Sequence, residues 1–200
     1  MSESNPIIEN PWQNFIHQCQ VCTACPLSKN RTHAVVYRGS VQAPLLIIGD
    51  GPREEEDVEG IPLVGETGVV INNLLSALDI SETYFHITNI VKCRLEANSI
   101  PIIDEARACR THLNEQFKFV RPQVIMLLGS TAYQYFTGDL DSPFEQIRGQ
   151  WIKKGPYWIM ATIHPNAILQ DTSLRAALWQ DAKAIRKKME NLGILDQLKI

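Results

Sequence analysis

The residues best suited to chemistry stand where short apolar runs end. "LLIIGDGPREEED", residues 45–57, breaks from an apolar run into a glycine turn carrying Asp50, followed by four consecutive carboxylates, Glu54 to Asp57. A glycine turn after a strand commonly cradles phosphate on its backbone N–H groups, a setting that disfavours acids. The spacing fits neither nucleotide motif: Glu54 stands where the dinucleotide fingerprint needs its third glycine, and the Gly-Lys-Ser/Thr ending of a P-loop is missing. Taken alone, the stretch reads as the solvated acidic start of a helix. Three other segments stop in the same way, "TNIVKC" with Asn89, "LGST", and "TIHP" with His164.

Cysteine supplies a second chemistry. "CQVCTACPL" places Cys19, Cys22 and Cys25 two residues apart, Cys93 follows an apolar run, and Cys109 lies in the next helical pattern. A C-x2-C pair can offer two thiolates to one metal centre, and two remote cysteines could complete a four-thiolate set. Cys93 or Cys109 taken singly suits a small core residue equally well. The spacing separates neither zinc from iron–sulfur nor the four ligands from the fifth thiol.

These residues need a frame. "LLIIG" at 45, "HITNIV" at 86, "QVIMLLG" at 123 and "YWIMATI" at 157 lack polar alternation, as strands buried on both faces of a parallel sheet do. Between them, segments from Gly68, Asp104 and Ser173 carry apolar residues at three- and four-residue steps. The alternation predicts an α/β fold, a three-layer α/β/α sandwich around a four-stranded, mainly parallel sheet. Ligands of such sheets bind at the carboxyl ends of the strands, which would align "GDGP", "TNIVKC", "LGST" and "TIHP" on one edge.

A chain of 200 residues suits one domain spanning 1–200, with an N-terminal arm to about residue 40 wrapped onto it. No apolar run approaches the ~18 residues of a membrane span, and "MSESNPIIEN" has neither basic flank nor apolar core, so a cytoplasmic protein without membrane contact is expected. There, structural disulfides are not. A net charge of -3 argues against general coating of nucleic acid and confines any DNA contact to local cations. Candidates are Lys92 with Arg94, and Arg148 with Lys153 and Lys154; "RKK" at 186–188 reads better as the solvated face of a helix.

The blocks "CTACPLSKNRT", "LLIIGDGPREEEDVEGIPLVGETG", "TNIVKCR", "PQVIMLLGSTA", "RGQW" and "TIHPNAIL", in this order, resemble the family 4 (iron–sulfur) uracil-DNA glycosylases of the uracil-DNA glycosylase superfamily. The resemblance implies a monofunctional hydrolase that removes uracil from DNA in base excision repair, without a lysine placed for strand cleavage. It implies a 4Fe–4S cluster on Cys22, Cys25, Cys93 and Cys109, with Cys19 spare, tying the arm to the core. Asp50 matches the pocket carboxylate that holds water or steadies the sugar cation, and Gly51 stands beside it against the base. Glu56 matches the position crowding the uracil C5 edge, Asn89 the carboxamide that reads the base, and His164 the donor to uracil O2. Ile168 and Leu169 could wedge into the vacated stack, and Arg148 is expected to touch DNA.

Several positions depart from the pattern. Leu63 replaces the stacking Phe of "PFVG", a contact worth roughly 1–3 kcal/mol, so single-stranded or mispaired uracil is the expected substrate of a monomeric protein. Arg53 replaces a glycine and could reach phosphate or obstruct the pocket; "KCRLEANS" keeps only Asn98 of a longer motif's distal half; Gln170 replaces a phosphate-binding arginine. Leu63 and Arg53 favour a second reading, a DNA- or base-binding iron–sulfur homologue with little catalysis. The spare Cys19 favours a third, a redox sensor.

Overall fold

The computed structural model describes residues 10–96 and 99–196; Asn98 lies outside them. In chain order the strands are β1 (Arg38–Gly39), β2 (Leu45–Gly49), β3 (Phe85–Asn89), β4 (Val124–Leu128), β5 (Trp151–Lys154) and β6 (Tyr157–Thr162). The helices are α1 (Pro11–Gln20), α2 (Glu54–Glu59), α3 (Gly65–Ala77), α4 (Ile103–Val120), α5 (Gly129–Thr137), α6 (Phe144–Ile147), α7 (Pro165–Gln170) and α8 (Arg175–Asn191).

The sheet runs β1-β3-β2-β4-β6-β5, so it has six strands among the described residues rather than the expected four. The four apolar runs form its parallel centre. The two additions are antiparallel edges, β1 on β3 and β5 on β6. Neither announces itself: β1 is two residues long, and β5, "WIKK", is half-buried then exposed, as edge strands are.

Alternate residues of each central strand feed opposite layers. Leu45, Ile47, Ile87, Val124, Met126 and Met160 pack with Ile71, Leu74 and Leu75 of α3 and Leu178, Ile185 and Met189 of α8. Leu46, Ile48, Ile125, Leu127 and Ile159 face Ala106 and Leu113 of α4 and Ala132 and Tyr133 of α5. Both faces of β2, β4 and β6 are therefore apolar, which is the missing alternation in the sequence, whereas one face of β3 buries the polar His86 and Thr88. Each such side chain contributes about 1.5–3 kcal/mol of burial.

The arm has a small core of its own, in which Trp12, Phe15 and Cys19 of α1 pack with Ala34, Val36 and Phe119. Buried Asp57 fastens it, since the Thr32 N–H donates to both carboxylate oxygens at 2.8 Å and the His33 N–H donates to one at 3.1 Å. Part of the acidic run is thus structural. Because β2 is flanked by β3 on one side and β4 on the other, the chain reverses its direction of winding at β2. The crevice beyond its carboxyl end is where ligands of such sheets bind, and Asp50 is the residue there.

Candidate active site and thiol cavity

Asp50, Asn89 and His164 come together at this crevice. Gly49 and Asn89 are register partners at the ends of β2 and β3, and a Cβ on Gly49 would collide with Asn89 Oδ1 and lie 3.8 Å from His164 Nε2. Only glycine lets the two side chains close over that strand end. His164 Nε2 is 3.6 Å from Asp50 Oδ1. Gly129 takes φ +83° directly below, where a Cβ would press on His164 Cβ at 3.1 Å.

Local bonds orient the groups. His164 caps α7, its Nδ1 accepting from the Asn166 N–H at 3.1 Å, which leaves the imidazole proton on Nε2, toward Asp50. Burial holds the imidazole below its usual pKa, helped by Arg53 and opposed by Asp50, so it is a neutral donor at pH 7. Asp50 Oδ1 accepts from the Gly51 N–H at 2.9 Å. Asn89 is 2% exposed, and its Nδ2 has no hydrogen-bond partner. A buried donor left unpaired costs about 1–3 kcal/mol, a cost that a ligand's acceptor would remove.

The rest of the loop is held from behind. Glu56 accepts from the Arg53 N–H at 2.7 Å and the Leu63 N–H at 2.6 Å. Burial pushes its pKa up while those two bonds oppose the rise. Arg53 donates to the carbonyls of Glu96 and Ser99 at 3.0 and 2.8 Å and pairs with Asp50 at 3.2 Å.

Away from this edge, Cys19, Cys22, Cys25, Cys93 and Cys109 line one cavity with Arg31, Lys92 and His112. Burial pushes the Cys19 thiol up to about 12 and Cys109 up to about 11, each partly offset by Lys92. Arg31 donates to Cys93 Sγ at 2.9 Å. Lys92 is 1% exposed, and the acidic groups acting on its charge are Cys109, Cys19 and Cys93. A buried ammonium among neutral thiols would be uncompensated, so the cavity suits thiolates held by a metal centre. Among the described residues no three His, Cys, Asp or Glu side chains are grouped to hold one ion. Five thiols lining one cavity offer enough ligands for a metal centre of either kind, zinc or iron–sulfur.

The family model of the uracil DNA glycosylase superfamily matches residues 36–185. The type-4 uracil-DNA glycosylase of Thermotoga maritima is 37% identical over 175 residues, 84% of this chain and 90% of that protein. Those of Saccharolobus solfataricus and Archaeoglobus fulgidus are 33% and 30% identical, covering 86% of this chain and 84% and 90% of theirs. The chain belongs to the type-4 uracil-DNA glycosylases. The family resemblance of its sequence blocks thereby holds over most of its length.

Several expected site residues of this type-4 chain lie elsewhere. Ile168 is 1% exposed and packs in the core, so it is not a wedge; Leu169, its neighbour, is 41% exposed. Helical periodicity put one inward and the other outward. Leu63 is buried in the same core with φ +51°, a left-handed conformation, and its N–H is held by Glu56. Glu56 has both oxygens engaged by backbone and is positioned to fix the loop. Arg148 donates from one nitrogen, Nη1, to both oxygens of buried Asp181 at 2.8 Å, and its side chain stays 28% exposed. Lys92 is inaccessible to DNA, and Arg186 of "RKK" is buried against the carbonyls of Leu78, Asp79 and Asp196 instead of being solvated. The sequence reading missed Gly49, whose lack of a side chain admits Asn89, and the buried role of Lys92. The only signal for Lys92 was its place beside Cys93 in a strand-end motif.

Proposed function

We propose that this chain hydrolyses the N-glycosidic bond between uracil and deoxyribose in DNA, leaving an abasic site in base excision repair. The observation that carries the reading is the buried, unpaired amide of Asn89 beside Asp50 and the Nε2–H of His164, at the crevice that the sheet topology provides. Asn89 can donate through Nδ2 to uracil O4 and accept N3–H at Oδ1. Cytosine reverses both polarities and would leave buried groups unpaired. As the C1′–N1 bond breaks, the electron pair goes to N1 and O2 of the base, where the neutral His164 donates a hydrogen bond. The sugar becomes cationic, and Asp50 steadies it or holds the water that adds at C1′.

Cys22, Cys25, Cys93 and Cys109 would hold a 4Fe–4S cluster, leaving Cys19 to the arm's core. Its chemistry here is that of a cross-link between arm and sheet, and the bond cleavage uses none of its electrons. The reading takes the protein as a cytoplasmic monomer acting on single-stranded or mispaired uracil; no helix among the described residues is long and apolar enough to cross a membrane. A binder with little catalysis is not favoured, because the relatives are named uracil-DNA glycosylases and Asp50, Asn89 and His164 share one crevice; Arg53 bonds Asp50 through one nitrogen and the carbonyls of Glu96 and Ser99 through another.

Incubation with a labelled uracil oligonucleotide followed by alkali should break the strand at uracil, and an intact strand overturns the assignment. Anaerobically purified protein should carry about four irons per chain, unchanged in Cys19→Ser, and stoichiometric zinc in iron-supplemented preparations would refute the cluster.

A further inference from the structure

The amide nitrogen of Asn89 has no partner to locate it, so the carboxamide takes its aim from the backbone that carries it. That backbone is held on two sides. On one, the N–H groups of Ile90 and Val91 donate to the carbonyls of Gly49 and Asp50 at 2.9 and 3.2 Å, tying the turn after β3 to the end of β2. On the other, Lys92 folds back beneath the strand, its Nζ donating to the Asn89 carbonyl at 2.7 Å and to Thr88 Oγ1. Thr88 in turn bonds the Val36 carbonyl at 2.8 Å and Gln116 at 3.1 Å. Lys92 is itself pinned, because its carbonyl accepts from the Val35 N–H at 2.8 Å and its side chain lines the thiol cavity.

Resting on the reading of Asn89 as the base-recognising residue, we infer that Lys92 is a positioning residue for uracil recognition: it braces the last peptide of β3 so that the Asn89 carboxamide meets the base in register. A lysine buried only to balance thiolates would need no bond to the Asn89 carbonyl; this one spends two of its three donors on β3. The same side chain therefore joins the thiol cavity to the strand end that reads the base.

Lys92→Met keeps the length of the side chain and removes its donors. Prepared with full iron content and unchanged affinity for DNA bearing an abasic-site analogue, it should cleave uracil at least tenfold more slowly in single turnover at saturating DNA. Its binding preference for 2′-fluoro-deoxyuridine over 2′-fluoro-deoxycytidine in otherwise identical DNA should fall by a similar factor. An iron-replete variant with both ratios unchanged overturns the inference. If Lys92→Met fails to load iron, Thr88→Val, which removes the other acceptor of Lys92 outside the cysteine set, decides in its place: a two- to fivefold loss with the same signature supports the brace, and no loss overturns it. Asn89→Ala serves as the reference. If it leaves the base preference intact, base reading by Asn89 fails and the brace with it; if it abolishes the preference while Lys92→Met does not alter it, only the brace fails.

Discussion

Two buried polar clusters hang on β3, one along its length and one at its end, and they differ in what they leave unfinished. In the first, His86 Nδ1 bonds the Ser40 carbonyl at 2.8 Å and Nε2 meets Gln116 Nε2 at 2.8 Å, while Thr88 and Lys92 complete the chain of donors and acceptors. In the second, at Asp50, Asn89 and His164, an amide nitrogen has no partner and the shortest His–Asp approach is 3.6 Å. Among the described residues only one other buried side-chain atom is unpaired, Trp12 Nε1, which lies among the rings of Tyr37, Phe119 and His86. A closed network stabilises the fold and an open one awaits a ligand. Substitutions at His86 should accordingly affect stability and those at Asp50, Asn89 and His164 rate, while Lys92 and Thr88 join the two clusters.

The sharpest break in that contrast is His164→Asn, which keeps an N-cap acceptor for α7 and draws the side-chain donor back from the position of Nε2, out of reach of the base. Single-turnover cleavage of uracil DNA should fall by on the order of 10² to 10³, with the urea midpoint unchanged. A large loss of stability with little loss of rate would move His164 into the structural cluster.

The closed cluster should instead respond to acid. Burial, countered in part by the Ser40 carbonyl, lowers the His86 pKa from 6.5 to about 4. The folded protein thus binds fewer protons at this site than the unfolded chain between those values, so stability is complete above 6.5 and is lost as pH falls toward 4. The loss amounts to about 3 kcal/mol. Urea titrations at pH 7.5 and 4.5, together with the imidazole resonance of His86, should show it; a His86 titration near 6.5 would contradict the closed network.

The smallest effect belongs to the rim. Leu169 is 41% exposed on α7, the helix that His164 caps. Leu169→Ala should lower cleavage of duplex uracil by roughly two- to fivefold and leave single strands unaffected, since only a duplex leaves a gap in its stack to fill. Equal effects on both would remove Leu169 from the interface.

The sequence exposed those parts of the molecule where one physical demand dominates. Burial on both faces goes with apolar side chains in β2, β4 and β6, which made them legible; β3 was legible despite its buried His86 and Thr88, and a shared edge for Asp50, Asn89 and His164 followed from their common direction. The edge strands were not, because two residues at β1 and a half-exposed β5 satisfy no single pattern. Ile168 and Leu169 looked alike until the orientation of α7 sent one into the core. Lys92 was hidden for a different reason: lysine is ordinarily a surface residue, and only the thiols and carbonyls gathered by the fold account for one buried at 1% exposure. Cys22 and Cys25 were legible as a pair, whereas the convergence of Cys93 and Cys109 required the β3–α4 crossing.

The strand order also sets a schedule for synthesis. All five cysteines precede residue 110, and Asp50 and Asn89 lie at the ends of neighbouring strands joined by one helical crossover, so a chain emerging from the ribosome carries both the thiol set and the base reader early. His164 follows β6, the last of the parallel strands to be made, which pairs with β4. A nascent chain that ends before β6 thus lacks the donor to the departing base, and competence for excision arrives with the last parallel strand.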